Sequence, residues 1–272
     1  MNKNVAVCGD DFGMNADIDE GMIALARMQR LSAVSCLALG PTFAANAPRL
    51  NALDVDIGLH VNLSETLDPT ADPMPSLSTL ILKAYTGLLD VAWIDAQLAR
   101  QFDAFEAAFG RAPDYVDGHQ HVHQLPRIRK RILALLKQRY AANPPWLRHT
   151  RPGTYSGIPL KETLKARIIG ALGARALAQE ARSNGLLTNR RFLGVYAFDG
   201  GRRGYARLLK TWLANAREGD LLMCHPALGD AAGNNAMARQ RQAEFDVLAN
   251  PKLDNWLDAN GVRITRLRFP AD

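Results

Sequence analysis

A chain of 272 residues that is 47% hydrophobic and 22% charged has a globular balance, which excludes an intrinsically disordered or fibrous protein. The net charge of +6 would suit an acidic partner, but the basic residues are scattered, and the densest stretch (Arg127, Arg129, Lys130, Arg131) reads as the solvated face of a helix. No nucleic-acid-binding motif accompanies it, so no nucleic-acid partner is expected.

Asn4–Gly9 is short, apolar and β-branched and predicts a buried strand, while Ala16–Gln29, with Ile18, Met22, Ile23, Leu25, Ala26 and Met28, predicts an amphipathic helix. Ser32–Leu39 reads as a second strand, and Pro41 opens a helical stretch to Leu53. Asp56–Leu63 is a third strand. Residues 64–80, rich in Pro, Asp, Ser and Thr, read as a long loop of the kind that carries function in compact domains. Val91–Phe109 predicts a helix, Asp114–Gly118 a short strand before a His-rich turn, Ile128–Tyr140 a helix and Trp146–His149 a strand. Leu160–Ala181 reads as mostly helical, Phe192–Ala197 as a strand and Tyr205–Ala216 as a helix. Asp220–Cys224 is a strand that ends at His225-Pro226, Ala236–Leu248 a helix, and Val262–Arg266 the last strand.

This alternation runs without a low-complexity linker, so residues 1–272 are expected to form a single α/β domain with a parallel sheet and helices outside. About seven strands suggest a TIM-barrel-like (β/α) barrel of irregular form, with its chemistry at the carboxyl ends of the strands. The three cysteines, Cys8, Cys36 and Cys224, form no CxxC pair and are odd in number, which favours a reducing compartment over a disulfide framework. No apolar leader follows Met1 and no run of about 18 apolar residues occurs, so a cytoplasmic location without a membrane span is expected. A homodimer would be unremarkable.

Five of the expected strands end in residues fit for metal or acid–base chemistry. They deliver Asp10-Asp11, His60 with Asn62, Asp117 with His119, His121 and His123, then Arg148, His149 and Arg151, and finally His225. All six histidines of the chain fall in this set. Each group alone has a plain structural reading, such as an N-capping turn for Asp10-Asp11 or a core histidine for His60. Together they suit a divalent cation, which takes imidazole and carboxylate ligands and leaves open positions for water and substrate. A carboxylate outside the ligand set can then accept the proton of the attacking water, and a histidine can protonate a leaving amine.

Val5–Gly13 with its DDFG turn, Gly58–Leu63, Asp117–His123 and Met223–Pro226 occur in the order and spacing of the YdjC-like carbohydrate deacetylases, and the chain resembles that family from residue 4 to about 250. The resemblance implies a TIM-barrel-like fold and hydrolytic removal of an N-acetyl group from a small amino sugar or chitooligosaccharide. It implies Asp11, His60 and His119 as ligands of a divalent ion, Zn2+ or Mg2+, Asp10 as general base and His225 as general acid. Arg148 or Arg151 is expected to support Asp10 or the substrate, and Asn62, His121 and His123 to orient ligands or touch substrate. Gln120 stands where the family often has His, and Gly118 where Ser is common; these departures leave the three inferred ligands intact and bear on the substrate. The 64–80 loop and the 196–204 segment, with Tyr196, Phe198, Arg202 and Arg203, are the expected places of sugar recognition. Hydrolysis of another bond, as in a deformylase or phosphoesterase, and sugar binding without catalysis are the alternatives.

Overall fold

Ten residues form the central strand β1 (Lys3–Phe12), and all but the first two are buried. The structure, a computed structural model, describes residues 2–229 and 236–269. Asn15 begins α1 (Ala16–Arg27) by accepting the Ile18 backbone N–H through its side chain. Asp17 and Asp19 in the first turn and Arg27 in the last complement the helix dipole. Then follow β2 (Ala33–Cys36), α2 (Phe43–Asn51), β3 (Asp56–Val61), α3 (Leu77–Thr86), α4 (Val91–Phe109) and β4 (Tyr115–Gly118). A 3₁₀ turn, His119–Gln124, precedes α5 (Ile128–Arg139), β5 (Trp146–Leu147), α6 (Leu160–Ala171), α7 (Ala174–Ser183) and β6 (Phe192–Leu193). The chain closes with α8 (Gly201–Asn215), β7 (Leu221–Cys224), α9 (Ala236–Leu248), α10 (Lys252–Ala259) and β8 (Val262–Ile264).

The strands lie in the order β5-β4-β3-β2-β1-β7-β6, all neighbours parallel, and β8 pairs with the start of β1. Single parallel bridges, Leu147 to Thr188 and Pro152 to Phe192, bring the β5 and β6 segments side by side. The expected irregular α/β barrel of seven strands is therefore present, with an eighth short strand at its base.

Period-two alternation divides each strand between two cores. Val5 and Val7, Ile57 and Leu59, Val116 and Leu222 pack outward in the large core shared with the helices. Ala6 and Cys8, Tyr115, Trp146, Leu221 and Met223 pack in a smaller cluster. The next positions of that second set are Asp10, Asp117, Arg148 and His225, and His60 follows from β3 in the same way. The barrel interior thus changes from apolar to ionic along its axis.

Local signals account for the departures from expectation. Residues 64–80 are not all loop, because Ser76 caps α3 through the Thr79 N–H. The helical stretch 160–181 breaks into α6 and α7 at Gly173, where φ is +126° and a Cβ would lie 2.1 Å from the Gln124 carbonyl oxygen. β6 stops after Leu193 because Gly194 turns at φ +96°, against the Met223 carbonyl. The helix expected from Tyr205 begins one turn earlier, at Gly201 in the Gly-rich 200–204 segment, and Arg202 pairs with Asp246. The basic stretch on α5 carries surface ion pairs, Arg131 with Asp95 and Arg129 with Glu180.

Candidate metal centre and active site

Asp10 points into the barrel by strand parity and meets Arg148, whose Nη1 and Nη2 donate to its two carboxylate oxygens at 2.7 and 2.8 Å. Arg148 is fully buried, and its Nε lies 3.0 Å from Oδ2 of Asp117. Burial raises the Asp10 pKa, but Arg148 and His60 outweigh it and hold the carboxyl below its ordinary value. The same guanidinium and His60 bring Asp117 down to about 2 against the effect of burial. Cys8, Asp10 and Asp117 lie close enough together to hold a cation, but Arg148 already supplies the positive charge there.

Asp11 follows Asp10 directly, so on a regular strand it would face outward. The β1–β2 register shifts between Gly9 and Phe12, and Asp11 sits at φ +81°, a conformation uncommon for a residue with a Cβ. This bulge turns Asp11 to the same side as Asp10. Its Oδ1 lies 2.9 Å from His119 Nδ1 and 3.5 Å from His60 Nε2, and Asp11, His60 and His119 each offer one ligand atom within 4.8 Å of the others. His119 follows Tyr115 and Asp117 in inward parity, and Gln120 and His121, in left-handed conformations, turn the chain away directly after it.

Each ligand candidate has a fixed partner on its far side. His60 Nδ1 donates to Asp117 Oδ1 at 2.5 Å, and Ser35 Oγ donates to the other oxygen of Asp117. His119 Nε2 is 2.6 Å from Glu65 Oε2, and Arg241 Nη2 donates to Asp11 Oδ2 at 2.6 Å. Such outer partners set ring orientation and basicity. Burial disfavours charge on His60, yet Asp117 and Asp10 prevail and raise its pKa to about 10. His119 is raised to about 9 by Asp11 and Glu65, again against burial. Four carboxylates thus face the two cations Arg148 and Arg241, and the remaining negative charge keeps protons on both imidazoles. The donor set and the local charge both fit a divalent cation.

The other expected residues separate clearly. His225 and His121 line the cavity with the centre, and His225 packs edge-on against Phe198. Burial pushes the His225 imidazole down to about 4, so it is neutral near pH 7. His123 lies beneath, its Nε2 at 2.7 Å from the Arg148 carbonyl oxygen, and fixes the backbone that delivers Arg148. Asn62 does not line this cavity; its side chain accepts from the Ser64 and Glu65 N–H groups and shapes the turn that presents Glu65. Arg151 does not reach Asp10 either. It lies among Arg191, Arg175 and Arg182, whose repulsion adds to burial in lowering its pKa. Of the two arginines, only Arg148 supports the Asp10 carboxylate.

Glu65, Arg241 and Glu244 escaped the sequence reading. Glu65 sits in a loop and Arg241 and Glu244 on α9, away from the strand-end pattern that singled out the others. Buried Glu244 accepts the His225 backbone N–H at 2.6 Å and the Tyr196 hydroxyl at 2.5 Å, joining two cavity residues. Asp117 stood in the His-rich stretch without an assigned role. Its strand parity with His60 was the available signal, since Asp117 pairs with His60 in the β3–β4 register. Replacing Asp117 with Ala is expected to lower metal affinity about 10–100-fold, measured by competition with a chromogenic chelator, because His60 loses its orienting carboxylate. An unchanged affinity would remove Asp117 from the centre.

The family model for YdjC-like proteins matches residues 4–259. The chain belongs to the YdjC-like family. Full-length YdjC-like relatives include the carbohydrate deacetylase of Mus musculus, 29% identical over 96% of this chain and 92% of that one. The chitooligosaccharide deacetylase of Enterobacter sp. (strain 638) is 24% identical, covering 97% of this chain and 98% of its own. Among solved structures, a candidate cellobiose-phosphate cleavage protein of Enterococcus faecalis V583 superposes with a TM-score of 0.68 at 19% identity, over 98% of both chains, and so shares the YdjC-like fold. Among the described residues, no helix of this YdjC-like chain is long and apolar enough to cross a membrane.

Proposed function

We propose that the chain is a metal-dependent carbohydrate deacetylase that hydrolyses the acetamide of a small N-acetylated amino sugar. The convergence of Asp11, His60 and His119 beside the Arg148-held Asp10 carries this reading, since a ligand triad and a separate carboxylate are what amide hydrolysis by activated water needs. The names of the curated relatives support the substrate class.

A divalent ion held by Asp11, His60 and His119, Zn2+ or Mg2+, would polarise the amide carbonyl and acidify the attacking water. Asp10 takes the proton of that water on a carboxylate oxygen, and the bidentate contact with Arg148 keeps the carboxylate ionised and aimed. His225, at the end of β7 beside β1, delivers a proton to the departing nitrogen. Burial keeps it neutral in the resting site, so the proton it delivers is one it takes up from solvent as negative charge grows beside it. Three free, buried thiols suit action in the reducing cytoplasm.

The deciding experiment is acetate release from a panel of N-acetyl and N-formyl amino sugars and phosphate esters, with chelator and after Zn2+ or Mg2+ addition. Metal-restored release of acetate alone is expected; cleavage of phosphate esters, or turnover in chelator, overturns the reading. Asp10→Asn is expected to retain the metal and lose turnover by about 100-fold or more, the size of a general-base contribution. Loss of the metal in that variant would instead make Asp10 a ligand. Because His60 and His119 hold protons with pKa values of about 10 and 9, metal uptake at pH 7 is expected to release about two protons per ion. Calorimetry in buffers of different ionisation enthalpy reads this number, and release near zero would mean both rings are already neutral.

A further inference from the structure

Among the described residues, every arginine that is buried or half-buried pairs with a carboxylate, except Arg151 and Arg191. Those two stand side by side. The parallel bridge between Pro152 and Phe192 sets them opposite one another on adjacent segments, and the Phe192 N–H donates to the Arg151 carbonyl oxygen at 2.9 Å. Buried Asn189 ties the segments together: its Oδ1 accepts the His149 N–H at 2.8 Å, and its Nδ2 donates to the His149 and Arg191 carbonyl oxygens at 3.1 and 3.0 Å. Phe192 packs inside the barrel, so by alternation Arg191 and the arginine beside it point outward, away from the metal centre. Like charges directly opposite on neighbouring strands, about 5 Å apart, are destabilising unless something offsets them.

The surroundings add positive charge instead. α7 contributes Arg175 and Arg182, which lie seven residues apart and so on one side of the helix, and the charged groups that act on Arg151 are these two and Arg191. His149 accepts the Arg151 backbone N–H on Nδ1 at 3.2 Å, which leaves its hydrogen on Nε2 as a further donor. Burial, with Arg151 and Arg191, holds that imidazole neutral, its pKa down at about 4. None of these five residues lines the cavity of the metal centre, so the strand-end residues His149 and Arg151 stand outside the active site.

We infer that Arg151, Arg191, Arg175 and Arg182 form a binding site, on the outside of the barrel, for the diphosphate group of a small molecule. The ligand supplies the negative charge that the chain does not. Guanidinium forks meet phosphate oxygens in pairs, and such charge-assisted contacts are short and strong. At 1.5 Å per residue Arg175 and Arg182 are about 10 Å apart along α7, which is wider than one phosphate group and suits two joined ones. The site stands or falls separately from the deacetylase reading.

The test is calorimetry of the whole chain at fixed ionic strength with pyrophosphate, ADP, orthophosphate and citrate. Pyrophosphate is expected to bind about tenfold or more tightly than orthophosphate or citrate and to raise the thermal unfolding midpoint. Arg151→Gln and Arg191→Gln are each expected to weaken it about tenfold or more, and Arg151→Lys by less, because lysine restores the charge without the fork. His119→Ala, at the metal centre, is expected to leave pyrophosphate binding unchanged. ADP tells a substituted diphosphate from the free ion, and either one bound more tightly than orthophosphate upholds the site. Citrate bound as tightly as pyrophosphate would reveal a general basic surface and overturn the proposal, as would no binding at all. Pyrophosphate binding that is lost in His119→Ala, or kept in both glutamine variants, places the ligand elsewhere and also overturns it. If an arginine variant does not fold, the ligand series and His119→Ala still decide.

Discussion

His119→Ala is expected to yield a folded protein that no longer holds its metal and whose kcat/KM falls about 1000-fold or more. The magnitude follows from losing several kcal/mol of charge stabilisation in the transition state, at roughly 1.4 kcal/mol per tenfold. The fold should survive, because neither neighbour is stranded: Asp11 keeps its contact with Arg241, and Glu65 is nearly half exposed. Metal content after dialysis, acetate release and the thermal unfolding midpoint check the three parts separately. A variant that still turns over would show that His119 is not a ligand, and one that unfolds would make its role structural.

The second large effect is on stability. Arg148 is the cation between two buried carboxylates, Asp10 and Asp117. Arg148→Met removes it and leaves His60 as the one cation beside both acids, with Asp10 stripped of its two-pronged contact, so a loss of about 3 kcal/mol in unfolding free energy is expected, together with loss of activity. Denaturant unfolding measures it. Adding Asp10→Asn removes one of the stranded charges, and the double variant should recover part of the stability and none of the turnover. Arg148→Lys restores the charge but not the two-pronged contact with Asp10, so it should recover stability only in part. If Arg148→Met proves as stable as the wild type, the buried ion cluster is not what holds the barrel mouth together.

The residues that point into the barrel were legible in the chain because strands alternate strictly. Cys8 and Asp10, His60, Asp117, Arg148 and His225 all lie on inward positions, and parallel strands place their carboxyl ends on one face. Asp11 was recognisable by motif, but its direction was not. It turns inward only through the β1 bulge and a φ of +81°, which depend on how β1 pairs with β2. Period-two spacing puts His119, His121 and His123 on one face of a strand, and His119 and His123 also match on a helix; in the 3₁₀ turn, where Gln120 and His121 are left-handed, the three part to the centre, the cavity wall and the Arg148 backbone.

Periodicity and turn residues determined the alternating elements, the parallel barrel and the strand-end inventory from which a metal site could be drawn. Those signals act over a few residues and survive in any correct fold. The choice of Arg148 over Arg151 and the arrival of Glu65 and Arg241 at the ligands were decided only in three dimensions. They join positions such as Asp11 and Arg241, 230 residues apart, whose meeting is set by helix packing that leaves no period in the chain.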